Sequence, residues 1–327
     1  MKRFKDILCT IEPEKECKLA LERAVTLAEN NQANLTVITV APSISAGIGM
    51  PEGGPVSTEL QAATVNSHKQ ELENLVEPYR QRIKIETSVL IRTPFLEIIR
   101  EVLRNAHDLV IKCPESPDWL DRLFSSDDKH LLRKCPCPVW MVRPQTGESF
   151  DRILAAVDVN DGYPTKELKT RQALNEMVIE LASSLAVSEF AELHVVHAWE
   201  AIGEGIMRHG IFMQKPENEV NAYVDQVRRH HTQLLDKLIK EVSAKLGEDA
   251  ADYIKLQLHM PKGLARKVIP ELVNELQVDC IIMGTVARTG VPGLFMGNTA
   301  ETILDQLECS VLAIKPPGFV TPVTLEK

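Results

Sequence analysis

The sequence predicts an α/β protein built from two tandem, doubly wound parallel sheets of five strands each. The chain has 327 residues, about twice the size of a typical domain. Short apolar runs alternate along it with amphipathic helical segments, as in β-α-β units. The same series of segments occurs twice, which indicates two homologous domains.

The repeat is visible when the two halves are compared. RFKDILCTIEP at 3–13 corresponds to SFDRILAAVDV at 149–159, and the two apolar runs are followed by Glu12 and Asp158. The halves close with the related segments CPVWMVRP and CSVLAIKP. We therefore expect a first domain over 1–146, a second domain over 147–318 and a short tail over 319–327.

The predicted strands are continuously apolar, which is typical of a sheet covered by helices on both faces. Right-handed crossovers between parallel strands would give a doubly wound sheet, whose ligands bind at the carboxyl ends of the strands. The predicted strands are Ile7–Ile11, Leu35–Val40, Ile83–Leu90, Leu109–Ile111 and Val139–Val142 in the first half, and Ile153–Val157, Leu193–Ala198, Tyr253–Leu258, Cys280–Met283 and Val311–Ile314 in the second.

Charge and composition exclude several classes of partner. The chain carries 37 Lys and Arg against 46 Asp and Glu, a net charge of −9 that disfavours binding to nucleic acids or anionic membrane surfaces. No apolar run approaches the roughly 18 residues of a membrane span, and the N-terminal segment lacks the pattern of a secretory signal. The seven cysteines show no disulfide framework, so we expect a cytoplasmic protein.

A glycine-rich corner in the second half is the main candidate for a site. MGTVARTGVPGLFMGNTAE places Gly284 at the end of a predicted strand and Gly297 at the start of the last helix. Glycine lets the backbone approach a ligand, and the first amides of a helix attract phosphate oxygens. Asn298 or Thr299 could donate a further hydrogen bond, and Arg288 could pair with a phosphate.

The same corner also has a purely structural interpretation. Asn298 and Glu301 have the spacing of a capping box, which would satisfy the first amides of the helix internally. Glycines at strand ends are also common in turns. Spacing alone leaves both interpretations open.

These residues carry a resemblance to a known family. The tandem layout, ILAAVD at 153–158 and the glycine corner resemble the universal stress protein family, in particular its two-domain bacterial E type. Nucleotide-binding members carry a glycine, two residues, a second glycine, nine residues, then Gly with Ser or Thr. Gly284 and Gly297 match the first and last glycines, but Ala287 stands at the second position and Asn298 replaces the hydroxyl residue.

The resemblance implies a Rossmann-like fold and a site for ATP or ADP, with magnesium, in the second domain. Asp158 would meet the adenosine, and Val157, Ala198 and Met283 would line the slot for the base or ribose. The phosphates would lie along the glycine corner. The expected site residues are Val157, Asp158, Ala198, Met283, Gly284, Ala287, Arg288, Gly297, Asn298 and Thr299.

The corresponding corner of the first half lacks the glycines. Either Lys112 or Cys113 replaces the first one, depending on how the halves are aligned. Asp127 and Asp128 stand at the start of the last helix, where they would repel phosphate. Capping of that helix by Ser126 or Asp127 would account for these residues. We expect the first half not to bind nucleotide, and hence at most one nucleotide per chain.

Other candidate residues do not form a recognisable constellation. Cys135 and Cys137, with His130 upstream, lack the paired spacing of structural zinc ligands, so no metal is expected. His68 and His231 lie at matching positions on the apolar faces of long helices. Their placement favours hydrogen-bonded packing histidines over a catalytic base, for which no partner is evident.

The apolar segment 202–213, IGEGIMRHGIFM, follows the second strand at the expected ligand edge. It could close on an adenine, hold an apolar ligand, form an interface, or pack as a short helix on its own domain.

The resemblance implies a non-enzymatic sensor or adaptor that supports survival under stress, including conditions that damage DNA. Two alternatives are weak ATP hydrolysis at the glycine corner and carriage of an apolar small molecule beneath 202–213. The resemblance also implies that the two domains pair through their last strands as an internal pseudo-dimer. A homodimer and an unknown protein partner are open, and no direct nucleic-acid or membrane partner is expected.

Overall fold

The computed structural model describes residues 4–12, 18–44, 55–114, 124–144, 149–211, 213–246, 256–285 and 296–325. The ten strands of these residues form one sheet in the order β3-β2-β1-β4-β5-β10-β9-β6-β7-β8. The strands span Asp6–Thr10 (β1), Asn34–Ala41 (β2), Ile85–Ile91 (β3), Leu109–Lys112 (β4) and Val139–Met141 (β5), then Arg152–Ala156 (β6), Glu192–Val196 (β7), Leu256–His259 (β8), Cys280–Gly284 (β9) and Ser310–Ile314 (β10).

Helices cover both faces of this sheet. Because successive residues of a strand point to opposite faces, Ile7 and Cys9 belong to one apolar core and Leu8 belongs to the other. The helices are Lys18–Asn31 (α1), Pro55–Val76 (α2), Pro94–Asn105 (α3), Ser126–Lys134 (α4), Thr165–Glu189 (α5), Glu204–His209 (α6), Glu217–Leu246 (α7), Ala265–Leu276 (α8) and Asn298–Leu304 (α9). Helices α1, α2, α5 and α7 cover the first core, whereas α3, α4, α8 and α9 cover the second.

The predicted α/β fold with two doubly wound five-stranded sheets is confirmed, and the structure adds how the two sheets join. Pairing is parallel within each half, whereas β5 and β10 run antiparallel. Trp140 lies opposite Leu312 at the centre of this antiparallel pair. The last strands thus cover each other's edges, and the two halves form a pseudo-dimer within one chain.

One strand, β3, begins later than predicted. Residues 82 and 83 are held in a turn, because the backbone N–H groups of Arg82 and Ile83 donate to the carbonyl of Tyr79. Strand β3 therefore begins at Ile85 and not at Ile83. The predicted start of β8, Tyr253, lies outside the described residues.

Candidate ligand site

A cavity of about 680 Å³ opens at the carboxyl ends of β6, β7 and β9. Strand order reverses there, since β6 is flanked by β7 on one side and by β9 on the other. This is the place and the size expected of a small-molecule site in a doubly wound sheet. Eight of the ten expected site residues line it: Val157, Asp158, Ala198, Met283, Gly284, Gly297, Asn298 and Thr299. The other two, Ala287 and Arg288, lie outside the described residues.

Asp158 is held in place by residues of the loop and helix that follow it. Its backbone N–H donates to Oδ1 of Asn175 at 3.0 Å, and the Asn175 amide donates back to the Asp158 carbonyl at 2.8 Å. Its carboxylate accepts from Arg171 Nη1 at 2.7 Å and from the Tyr163 hydroxyl at 3.0 Å. The Arg171 guanidinium also stacks on the Tyr163 ring at 3.4 Å. The Asp158 carboxylate thus lines the cavity as a hydrogen-bond acceptor of fixed orientation. Its negative charge is balanced by the guanidinium of Arg171.

A buried histidine pair forms another wall of the cavity. His197 Nε2 lies 2.9 Å from Nδ1 of His231, and His197 Nδ1 lies 3.3 Å from the carbonyl oxygen of Val157. Burial lowers the pKa of both imidazoles, which favours their neutral forms near pH 7. His231 is therefore the expected hydrogen-bonded packing histidine. For His68, the buried Nδ1 has no hydrogen-bond partner among the described residues, and its assignment as a packing histidine stays a prediction.

The glycine corner is not closed by a capping box. Gly297 is the N-cap of α9, with φ −60° and ψ 138°, and no side chain caps the helix there. Asn298 is already the first helical residue, so its side chain does not occupy the N-cap position that a capping box requires. Glu301 forms an ion pair with Arg133 instead. The capping-box interpretation is wrong, and the first turn of α9 faces the cavity.

Gly284 has a packing reason to be glycine. A Cβ atom placed on it would lie 2.5 Å from Cδ2 of Leu174, a residue of α5 that also lines the cavity. A side chain at 284 would thus require Leu174 to move. The glycine permits the close approach of α5 to the end of β9.

The sheet register decides how the first half aligns with the second. Ile111 pairs with Trp140 as Ile282 pairs with Leu312. Lys112 therefore corresponds to Met283, and Cys113 corresponds to Gly284. The alternative that placed Lys112 opposite Gly284 is wrong, because the connection to the last strand is one residue shorter in the first half.

Buried charges occupy the first-half corner. Lys112 Nζ lies 2.8 Å from the carboxylate of Asp128 and 3.3 Å from that of Glu12. The Asp128 side chain is 0% exposed and also forms a capping box with Ser125. The expected capping of this helix is present, but its residue is Ser125 and not Ser126 or Asp127, because Ser125 keeps extended backbone and its hydroxyl accepts the Asp128 N–H.

Comparison with known proteins identifies the family of this chain. The model of the universal stress protein family matches residues 3–143 and 149–315. The chain belongs to the universal stress protein family. Its relatives include Universal stress protein E of Salmonella typhi, 31% identical over 330 residues that cover 100% of this chain and 99% of the relative. The Universal stress protein E homolog of Haemophilus influenzae is 29% identical, with 96% and 98% of the two chains covered.

A solved structure supports the same assignment. The putative universal stress protein from Pseudomonas aeruginosa UCBPP-PA14 superposes with a TM-score of 0.67 and 27% identity, covering 96% of this chain and 94% of the other. Membership in this family supports a role in the stress response. Within the described residues, no helix has both the length and the apolar character that a membrane crossing requires.

Lys315, which sequence analysis missed, lies buried where the two domains meet. Its ammonium donates to the carbonyl of Leu132 in the first domain and to the hydroxyl of Thr285 in the second. The Thr285 carbonyl in turn accepts a hydrogen bond from the N–H of Gly297, which lines the cavity. These hydrogen bonds therefore connect the contact between the domains to the cavity. Burial lowers the pKa of Lys315 to about 7.

Two buried cysteines lie near this lysine. Cys135 and Cys137 are buried with their Sγ atoms 3.6 Å apart. No set of three His, Cys, Asp or Glu side chains in the described part of the chain is arranged to hold a metal ion. The pKa of Cys137 is raised by its hydrogen bond with Cys135 and by burial, which favours the thiol form.

The apolar segment that follows β7 forms the short helix α6. Ile202 lines the cavity mouth, and the backbone carbonyl of this residue accepts the Tyr223 hydroxyl of α7 at 2.8 Å. Ile206 and Ile211 remain 61% and 92% exposed. A short helix is present, as one alternative anticipated, but several apolar side chains of the segment face solvent. Phe212 lies outside the described residues.

Proposed function

We propose that this universal stress protein binds one adenine nucleotide, ATP or ADP, in the cavity of its second domain. It would act as a non-enzymatic sensor or adaptor that supports survival under stress, including conditions that damage DNA. The observation that carries the nucleotide proposal is the contrast between two equivalent corners of one chain. The second-domain corner is an open cavity with a glycine at its helix start, whereas ion-paired side chains fill the first-domain corner.

The cavity offers complementary groups for each part of a nucleotide. Val157, Ala198 and Met283 give an apolar slot for the base or ribose beside the fixed carboxylate of Asp158. A carboxylate has about four acceptor positions, and Asp158 uses three of them on Tyr163, Arg171 and the N–H of Asn160. One position is therefore left for a ribose hydroxyl.

The phosphates would lie along the first turn of α9, at Gly297, Asn298 and Thr299. Magnesium would arrive on the phosphates of the nucleotide. The carboxylates among the described cavity residues are Asp158, which is paired with Arg171, and Glu200. This supply of oxygen ligands fits an ion carried by its nucleotide better than a dedicated protein cage.

A cytoplasmic location is part of the proposal. All six cysteines in the described residues are free thiols, and all six are buried. Free thiols in this number fit a reducing compartment.

Titration calorimetry of the full chain with ATP or ADP should give one binding event per chain. The first-domain corner should contribute none, because the carboxylates of Asp128 and Glu12 would oppose phosphate and Lys112 is already paired with both. Two nucleotides per chain, or no heat at millimolar ligand, would contradict the proposal.

Changing Gly297 to phenylalanine should abolish this binding without unfolding the protein. No described atom lies within 4 Å of a Cβ at 297, and its φ of −60° suits any residue, so the ring can enter the phosphate position. The matched control is Gly205→Phe on α6, where a Cβ is equally free of contacts. Calorimetry and thermal unfolding of both variants provide the test, and retained binding by the Gly297 variant would place the ligand elsewhere.

A further inference from the structure

The seam between the two domains carries a charge pattern that strand pairing does not require. Lys129 of α4 forms an ion pair with Asp305, the C-cap of α9, at 2.5 Å. Arg133 of α4 forms an ion pair with Glu301 of α9. Both helices cover the same face of the sheet, so these two pairs link the domains across the pseudo-two-fold axis.

The four side chains are related to one another by that axis. The central pair of β5 and β10 makes Trp140 equivalent to Leu312. The same register makes the N-caps Ser125 and Gly297 equivalent, since each lies 15 residues before the central residue of its last strand, Trp140 or Leu312. It follows that Lys129 is the counterpart of Glu301, and Arg133 the counterpart of Asp305.

Each equivalent position therefore carries opposite charge in the two domains. The first domain presents two cations and the second presents two anions. In the observed arrangement every cation faces an anion. If two first domains met through the same strands, Lys129 would face the other domain's Arg133. If two second domains met, Glu301 would face the other domain's Asp305, again with like charges at ion-pair distance.

We propose that Lys129, Arg133, Glu301 and Asp305 form a pairing code that directs a first domain to a second domain and rejects pairing of like domains. Opposite charges favour the observed seam, and repulsion opposes the two homotypic alternatives, which is how charge patterns select among similar surfaces. Shape alone does not make this selection, because both domains present a related last strand. The partner that fits this surface is the other domain of the same sequence, within one chain or exchanged between two.

The code would protect the protein from incorrect association through the β5 and β10 edges before these two strands have paired. A last strand that accepted any copy of itself could link chains edge to edge. A surface ion pair contributes little to stability, but repulsion adds to its loss when the charge of one partner is reversed. Discrimination between correct and incorrect pairs is thus larger than the stabilisation that the ion pairs provide.

Reversal of one side, with Glu301→Lys and Asp305→Lys together, tests the code in the full chain. Four cations would then meet at the seam, and the melting temperature in low salt should fall by about 5 °C. Added NaCl should raise the melting temperature of this variant, because salt screens repulsion. In the wild type, salt should leave the melting temperature unchanged or lower it.

The decisive variant adds Lys129→Glu and Arg133→Glu to that reversal, so that every charge is inverted and each pair is again opposite. Its melting temperature and salt response should return to those of the wild type. The control, Glu86→Lys with Glu219→Lys, makes the same change in net charge at ion pairs away from the seam, with Lys84 and Lys215. The proposal is overturned if the fourfold variant is no more stable than the twofold one, or if the control shows the same loss and the same salt response.

Discussion

Replacing Lys112 by methionine should lower the free energy of unfolding by about 3–5 kcal/mol, the usual cost of removing one partner from a buried ion pair. Asp128 would lose the ammonium that lies 2.8 Å from its carboxylate while remaining fully buried. Methionine itself should fit, because Met283 occupies the equivalent position in the second domain. Denaturant unfolding of the variant and the wild type at pH 7 measures the difference.

The double variant Lys112→Met with Asp128→Ala distinguishes the effect of the unpaired charge on stability from the effect of altered packing. It gives the first domain the pair of residues that the second domain carries, Met283 and Ala300. Because apolar replacements of buried ion pairs are often neutral or stabilising, most of the lost stability should return. Loss of the capping box with Ser125 would leave a deficit of about 1 kcal/mol. A double variant less stable than Lys112→Met alone would show that the ion pair is not the cause.

The same comparison explains why the two corners differ although their strands pair in the same register. In the second domain, small and apolar residues at 283 and 300 leave room at the strand ends. In the first, Lys112 and Asp128 fill the equivalent positions with a pair that is stable only when complete. The difference between the two corners thus lies in side chains placed on a shared framework.

The fold could be predicted from sequence because its signals are local. The buried strands are short apolar runs, and the repetition of these runs in the same order indicates two domains. The strand predicted over Ile7–Ile11, for example, corresponds to β1 over Asp6–Thr10. Strand β3 was placed too early because Ile83 is as apolar as a strand residue, whereas backbone hydrogen bonds to Tyr79 hold it in a turn.

The glycine corner could be predicted because its residues follow one another in sequence, whereas Val157, Asp158 and Ala198 were predicted from the family resemblance. Gly284 and Gly297 belong to one corner, and Asp158 directly follows an apolar run. Arg171 and Asn175 reach Asp158 only because α5 packs on the sheet beside it. The signal that could have revealed His197 is a polar residue within the apolar segment after Glu192.

Lys315 is a residue whose role no sequence pattern reveals, and its titration should shape the stability of the protein. Burial lowers its pKa from 10.5 to about 7, so at pH 8.5 the folded chain has released a proton that the unfolded chain still holds. Stability must then rise with pH across this window, at up to about 1.4 kcal/mol per pH unit for one proton. Below pH 7 the lysine is protonated in both states, and the slope vanishes.

Comparison with Lys315→Met isolates this effect. Relative to the variant, the wild type should gain about 2 kcal/mol of unfolding free energy between pH 6 and pH 8.5. The buried histidines, such as His197, and the cysteine thiols titrate in both proteins, so their contributions cancel in the difference. Loss of the hydrogen bonds to Leu132 and Thr285 changes the free energy of unfolding of the variant by the same amount at every pH. Parallel pH profiles of the two proteins would mean that Lys315 keeps its charge when buried, held by the carbonyl and hydroxyl that it joins across the domain seam.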